Sequence, residues 1–266
     1  MNYVQLDIDE NRIATLSMNR PEVHNAFDDE MIDNLRAALA QIRVRGDIRA
    51  LVLCSEGKSF SAGADLNWMR SMAKKNYEEN VQDAGNLGAL MRELDELPCL
   101  TIARVQGAAF GGAVGLVACC DIGLGLERAS FCLSEVKIGL IPAVISPYVT
   151  RAMGPRAARR YTLTAERFFA QEAKDCGLLH DIYASEEALN EGIQNILNHV
   201  SQNGPAAVAA GKKLIQDVTN AEINEALIAE TARRIAEIRV SPEGQEGLSA
   251  FLEKRKPSWI ESTDGN

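Results

Sequence analysis

The sequence predicts an α/β protein, on three observations. Short apolar runs of strand type alternate with longer runs of helical period, glycine-containing turns follow several of the strands, and the chain beyond residue 201 is nearly all helical in pattern. Taking the elements in order, Tyr3 to Asp9 and Arg12 to Met18 alternate or cluster apolar residues around Asp9-Glu10-Asn11, which predicts a β-hairpin. Asp28 is a good N-cap, and Met31, Leu35, Leu39 and Ile42 follow at helical spacing, so a helix is expected to about Arg45. Ala50 to Cys54 reads as a short buried strand, and a helix across about Tyr77 to Leu97 leads to a second strand at Leu100 to Val105. A helix opening at Gly111-Gly112 leads to a third near Asp121 to Leu126. Strands that alternate with helices in this way pair in parallel through crossover helices. Further on, Ser146-Pro147 is expected to cap a helix, Gly154-Pro155 to separate it from the next, and a strand to lie at about Leu179 to Tyr183. Residues 1–200 are assigned to a core carrying the site, and residues 201–266 to a helical region with amphipathic faces such as Leu227, Ala232 and Ile235, packed on the core and on neighbouring subunits.

A chain of 266 residues can bury a substantial core, and 46% hydrophobic with 24% charged residues is ordinary for a globular protein. A formal net charge of -9 argues against a general nucleic-acid or anionic-membrane binder, because such partners select basic faces. The six cysteines, Cys54, Cys99, Cys119, Cys120, Cys132 and Cys176, lie mostly in apolar runs and read as small buried hydrophobes in a reducing compartment. No Cys-x-x-Cys or His-rich cluster occurs, so no metal site is expected. Met1 to Asp7 enters a strand pattern with neither an apolar signal core nor an Arg-rich presequence, and no run approaches the length of a membrane span. The expectation is a cytoplasmic, bacterial protein.

Three segments carry chemistry. Glu135 sits in the run Ser134 to Pro142, and upstream stand Phe60-Ser61-Ala62-Gly63-Ala64-Asp65-Leu66 and Gly107-Ala108-Ala109-Phe110-Gly111-Gly112-Ala113. Each upstream stretch reads as a strand end and a turn that opens a helix, which leaves backbone N–H groups free to meet a ligand. Two such donors and one carboxyl group are what thioester enolate chemistry requires: the donors hold the oxyanion while the carboxyl moves a proton at the adjacent carbons. Apolar neighbours Phe131, Leu133, Val136 and Ile138 would raise the pKa of Glu135 and fit it to act as acid and base near neutral pH. Asp65 is expected to cap the helix through Asn67-Trp68-Met69 and so to fix the turn before it.

In order and spacing these segments resemble the enoyl-CoA hydratase/isomerase family, the crotonase superfamily. The resemblance begins at Asn19-Arg20-Pro21-Glu22-Val23-His24-Asn25-Ala26 and passes through the Ala62 to Asp65 loop, Gly111-Gly112, Cys120-Asp121-Ile122 and Glu135. It continues in Ala170-Gln171-Glu172-Ala173 with Gly177-Leu178 and ends at Phe251 to Lys256. It implies a spiral of ββα units with a C-terminal helical region, assembled as trimers often paired into hexamers. It also implies the N–H groups of Ala64 and Gly112 as oxyanion donors, with Ala62, Ala64, Asp65, Leu66, Asn67, Gly111, Gly112 and His24 along bound CoA. Coenzyme A is then part of the substrate, no cofactor is permanently bound, and neither nucleic acid nor membrane is a partner.

One departure stands out. Well-known hydratases of this family carry a second glutamate in the helix after the Gly-Gly turn, and here that position is Gly115. Either Glu135 alone handles the water and the α-proton, or the reaction is not hydration. Since Gly115 lies one helical turn beyond the Gly-Gly pair, it is expected to face the same cavity and to leave room for a branched or carboxylated acyl chain. The run Leu133 to Tyr148 resembles the methylglutaconyl-CoA hydratase branch of leucine and isovalerate breakdown, which implies addition of water across C2=C3 of 3-methylglutaconyl-CoA. Three alternatives stay open: a longer terpenoid glutaconyl-CoA as substrate, Δ3,Δ2-enoyl-CoA isomerisation with a single carboxylate, and a non-catalytic acyl-CoA binder. Lys254-Arg255-Lys256 reads equally as a solvated helix end or as a contact to CoA phosphates.

Overall fold

The structure, a computed structural model, describes residues 3–260. Strands β1 (Val4–Ile8) and β2 (Ile13–Met18) form the antiparallel hairpin the alternation predicts, its turn closed by Asp9 Oδ1 accepting from the Ile13 N–H at 2.8 Å. Helix α1 (Asp29–Arg45) starts where Asp28 accepts from the Met31 N–H, buries Met31, Ile32, Leu35, Ala38, Leu39 and Ile42, and ends at Gly46 with φ 67°. Strand β3 (Ala50–Ser55) pairs in parallel with β2, and after α2 (Leu66–Met72) and α3 (Tyr77–Asp95) strand β4 (Leu100–Val105) pairs in parallel with β3.

Next come β5 (Ala108–Phe110), α4 (Gly112–Cys119), β6 (Ile122–Leu126) and β7 (Ser130–Cys132). Helix α5 (Ser146–Thr164), β8 (Phe168–Phe169), α6 (Ala170–Asp175), β9 (Asp181–Tyr183) and α7 (Glu186–Ser201) follow, and α8 (Pro205–Val218), α9 (Glu225–Val240) and α10 (Pro242–Glu253) finish the chain. The main sheet has the order β1-β2-β3-β4-β6-β9 and is parallel except for the hairpin.

Pleating sends successive side chains to opposite faces, and both faces of the main sheet are covered. Leu51 and Leu53 enter the larger core with α1, α3 and α4, whereas Ala50 and Val52 pack with Ile102, Leu124 and Leu126 against Leu189, Ile193 and Leu197 of α7. Polar ties fasten the later helices to this frame. Arg104 and Arg128 both pair with Glu186, and the Lys212 ammonium of α8 meets Asp121 at 2.8 Å. Glu243, at the start of α10, accepts from the Ala206 and Ala207 N–H groups at the start of α8, a carboxylate placed where a helix has free donors. Helix α9 buries no residue fully within the single chain, and Ile228, Ile235, Phe251 and Leu252 are exposed.

A second, small sheet of order β5-β7-β8 is the main feature the sequence pattern does not announce. Its strands are too short to show a period. Phe131 and Phe168 stack with ring centroids 5.4 Å apart, and Tyr161 stacks on Phe168 at 4.0 Å. One expectation is corrected. Ser146 is not the cap of α5: the N-cap is Ile145, and the Ser146 hydroxyl turns back to donate to the Ala143 carbonyl. Gly154-Pro155 parts two helical stretches as expected: Gly154, at φ 73° and ψ 157°, is not helical, and the chain kinks there.

Phe168→Ala should therefore cost about 3–5 kcal/mol, as expected for truncating a fully buried ring, and shift the denaturant midpoint accordingly. A loss well below 1 kcal/mol would mean that the ring stack does not support the small sheet.

Candidate functional site

The first turn hangs between two parallel bridges, Ser61 to Ala109 and Phe27 to Ala64. In the second bridge the Phe27 N–H donates to the Gly63 carbonyl and the Asp65 N–H to the Phe27 carbonyl, each at 2.7 Å. That pattern uses the groups on either side of Ala64 and leaves the Ala64 N–H out of the ladder. Gly63, at φ 90°, lies so close to the next segment that a Cβ would stand 3.0 Å from the Phe110 carbonyl oxygen, so only glycine suits the position. Alternation along the loop leaves Ala62, Ala64, Leu66 and Asn67 exposed while Gly63 and Asp65 are buried. Asp65 caps α2 as expected, accepting from the N–H groups of Asn67 at 2.7 Å and Trp68 at 3.3 Å.

The second turn leaves β5. The Gly111 N–H donates to the Cys132 carbonyl at 2.9 Å, Gly111 takes φ 54° and ψ -124°, and Gly112 begins α4, where its N–H has no carbonyl one turn back to meet. Glu135 arrives from β7. Parallel pairing of Phe110 with Cys132 aligns the two strands, and Glu135 opens a 3-10 turn (Glu135–Ile138) just beyond. Its Oε1 lies 3.1 Å from the point a Cβ on Gly111 would occupy, so a side chain at Gly111 would meet the carboxylate as well as a positive φ. The other oxygen, Oε2, is buried and has no hydrogen-bond partner among the described residues. Burial pushes the Glu135 carboxyl above its ordinary value, only partly offset by a backbone hydrogen bond.

The structure thus brings Ala64, Gly111, Gly112 and Glu135 together around one small sheet. Apolar residues close the surroundings: Phe27 ring carbons lie 3.5 Å and Leu87 4.0 Å from where a Gly112 side chain would start, and Val144 lies 3.7 Å from the same point on Gly88. Gly115 corrects the expectation of open room. A Cβ there would stand 2.3 Å from Ile145 Cγ2 and 3.2 Å from the Met91 Sδ, so the space is filled by Ile145 and Met91.

His24 is exposed in the left-handed region at φ 55°. Its Nδ1 lies 3.1 Å from the Ser59 Oγ and its carbonyl accepts from the Ala62 N–H, so its backbone helps set the first turn. Asn67 receives the Arg70 guanidinium on its Oδ1. In the C-terminal cluster, Arg255 pairs with Glu246 and Glu253, and Lys254 ends α10 in the left-handed region. Arg20 and Asn25 lie in the segment Asn19 to Ala26, and Ile145 in the run Leu133 to Tyr148, without a role read from the sequence. Their signal was two polar residues, one on each side of Pro21 to His24, that turn out buried. A separate cavity of about 560 Å³ opens at the other end of α4, among Cys119, Asp121, His180 and Lys212; its charges pair internally, Lys212 with Asp121 and Arg151 with Asp95. No group of three or more possible metal ligands occurs among the described residues.

Comparison with known proteins places these features in a wider setting. The family model described as enoyl-CoA hydratase/isomerase matches residues 9–262. An enoyl-CoA hydratase of Alternaria alternata, AKT6-1, is 33% identical over 241 residues, covering 90% of this chain and 78% of its own. The crystal structure of an enoyl-CoA hydratase from Shewanella pealeana superposes with a TM-score of 0.93 at 50% identity, covering 97% of this chain and 96% of that one. AtuE of Pseudomonas aeruginosa superposes with a TM-score of 0.92 at 35% identity, covering 97% and 100%.

Glu135→Gln should lower turnover at least about a hundredfold while leaving CoA thioester binding nearly intact. Because the native carboxyl holds its proton more tightly than the unfolded one, wild-type stability falls as pH rises from the ordinary to the raised pKa. The glutamine variant escapes that loss, so its melting temperature relative to wild type should be higher at about pH 7 than at about pH 4, below the ordinary glutamate value. Full turnover in the variant, or a gap that grows on acidification, would contradict the assignment.

Gly112→Pro removes one donor at the helix position where proline fits best, and should cost about 10²–10³ in kcat with the fold retained by circular dichroism. Gly112→Ala keeps the N–H and meets Phe27 only at ordinary contact distance, so it should stay within about tenfold of wild type, below the loss for a removed donor. Equal effects of the two would show that the N–H is not the relevant group.

Proposed function

Since the chain belongs to the enoyl-CoA hydratase/isomerase family, we propose that it adds water reversibly, and on one face, across C2=C3 of a branched enoyl-CoA, with 3-methylglutaconyl-CoA as the substrate. The observation that carries the proposal is the Glu135 Oε2, unpartnered among the described residues, beside the turns of Ala64 and Gly112, whose two N–H groups meet no backbone acceptor among the described residues. In the forward direction the Glu135 carboxylate takes a proton from water as the water oxygen bonds to C3. The C2=C3 electron pair moves through C2 onto the thioester carbonyl oxygen, which the Ala64 and Gly112 N–H groups hold as the enolate. The enolate then recovers its carbonyl as C2 accepts the proton from Glu135, which regenerates the carboxylate. A raised pKa suits one group that must both accept and return a proton near neutral pH. Coenzyme A enters and leaves as part of the substrate, and the reading asks for no resident cofactor.

The acyl assignment rests on the likeness of the run Leu133 to Tyr148 to methylglutaconyl-CoA hydratases, and the apolar surroundings of the site suit the branched carbon skeleton. Gly115 and Ile145 favour a second reading. With Ile145 and Met91 filling the space where another carboxylate would sit, a single acid/base has to suffice, and that is enough for moving a double bond from C3 to C2. The exposed Ile228, Ile235, Phe251 and Leu252 support a homotrimer or a dimer of trimers that covers them. No helix among the described residues is long and apolar enough to cross a membrane.

Purified enoyl-CoA thioesters, with and without a distal carboxylate and with the double bond at C2 or C3, should be incubated with the protein and the products resolved by mass. Gain of one water on 3-methylglutaconyl-CoA, faster than on crotonyl-CoA, is the expected result. Conversion of a 3-enoyl thioester without mass gain, and no hydration, would replace the proposal with isomerisation.

A further inference from the structure

Arg20 is buried, 9% exposed, yet the chemistry above does not use it. Its Nη1 donates to Asp28 Oδ2 at 2.6 Å and to the Ala26 carbonyl at 3.1 Å, and its Nη2 lies 3.6 Å from Asp65 Oδ2. The guanidinium carbon sits 4.2 Å from the centroid of the Tyr3 ring, a cation over an aromatic face. Both carboxylates are N-caps. Asp28 Oδ1 accepts from the first turn of α1 and Asp65 Oδ1 from the first turn of α2, which leaves each Oδ2 for the same guanidinium.

We propose that Arg20 is the positioning residue of the first oxyanion turn: it ties the cap of α2 to the cap of α1 and thereby holds the Ala64 N–H in its working direction. The proposal rests on the reading of Ala64 and Gly112 as oxyanion donors. Ala64 lies between two residues that are already fixed, Gly63 and Asp65, both hydrogen-bonded to Phe27, and Arg20 grips the chain on both sides of that strip. Asn25 holds the strip from behind, accepting from the Arg20 N–H at 2.8 Å and donating to the carbonyls of Glu56 at 2.8 Å and Ser59 at 3.0 Å. Without the cation, Asp28 and Asp65 would face each other as like charges in a poorly solvated space, and the cheapest relief is rotation of the exposed turn that carries Ala64. A lysine keeps the charge but is a single point with no planar fork, so it cannot serve both carboxylates at these distances.

The test uses the full chain with crotonyl-CoA as the probe, comparing wild type, Arg20→Lys and Glu135→Gln. The Lys variant should keep its circular dichroism spectrum, its KM within about twofold and its affinity for free CoA, which has no thioester carbonyl, while kcat falls about ten- to a hundredfold, the scale of a misplacement near 1 Å. Unchanged kcat overturns the proposal. So does a loss of kcat matched by an equal loss of CoA-binding sites, which would mark a folding defect only. Should Arg20→Lys fail to fold, Asp28→Asn preserves the α1 cap and removes one of the two anchors; a kcat lowered about threefold at constant KM supports the proposal, in proportion to a smaller displacement, and an unchanged kcat overturns it. If Glu135→Gln keeps wild-type turnover, the oxyanion-site reading falls and this inference with it, whereas an inactive Glu135→Gln beside a normal Arg20→Lys removes the Arg20 role alone.

Discussion

Parallel pairing of β5 with β7 is the constraint on which the site depends. Phe110 lies opposite Cys132, and the Gly111 N–H donates to the Cys132 carbonyl, so the Gly111-Gly112 turn and the segment leading to Glu135 leave the same end of adjacent strands. The bridge from Ser61 to Ala109 hangs the turn that carries Ala64 on the same strand. Three loops far apart in sequence thereby share one rigid edge, backed by the stacked rings of Phe131, Phe168 and Tyr161. Backbone hydrogen bonds at fixed spacing give the positional precision that oxyanion donors need, because a donor works only where charge develops.

Asp121 and Glu135 show how the same chemical group serves opposite ends. Asp121 accepts from the Thr101 N–H and hydroxyl and from the Lys212 ammonium, and in doing so fastens α8 to β4. Glu135 Oε2, by contrast, is buried with no donor among the described residues. Folded proteins rarely leave such groups unpaired, and the N–H groups of Ala64 and Gly112, which meet no backbone acceptor among the described residues, lie on the turns beside it. Unpaired donors and a carboxyl held above its ordinary pKa cost stability where they stand, and the surrounding frame supplies it.

The same frame explains the apolar character of the site. Gly115 brings α4 close to the segment after Glu135, and Ile145 with Met91 takes up the space that a side chain at Gly115 would need. A close backbone approach of this kind excludes a second acid from that point of the helix. On the proposed reading, proton transfer falls to one group that alternates between its two forms, which is the condition under which a raised carboxyl pKa is useful.

Local signals made the α/β class, the hairpin, the start of α1 at Asp28, the cap of α2 at Asp65 and the turns at Gly63 and Gly111 legible in the sequence, because each follows from period, capping side chains or glycine within a few residues. The sequence did not show the sheet of β5, β7 and β8, whose strands of 3, 3 and 2 residues carry no period and exist through their partners. Nor did it show that Ser146 would turn its hydroxyl to Ala143, that Ile145 would fill the space beside Gly115, or that Arg20 would join the caps of two helices. Those facts belong to the tertiary structure, since they are set by which distant segments meet and how closely, and neither the spacing nor the chemistry of neighbours in the chain encodes a distance between segments.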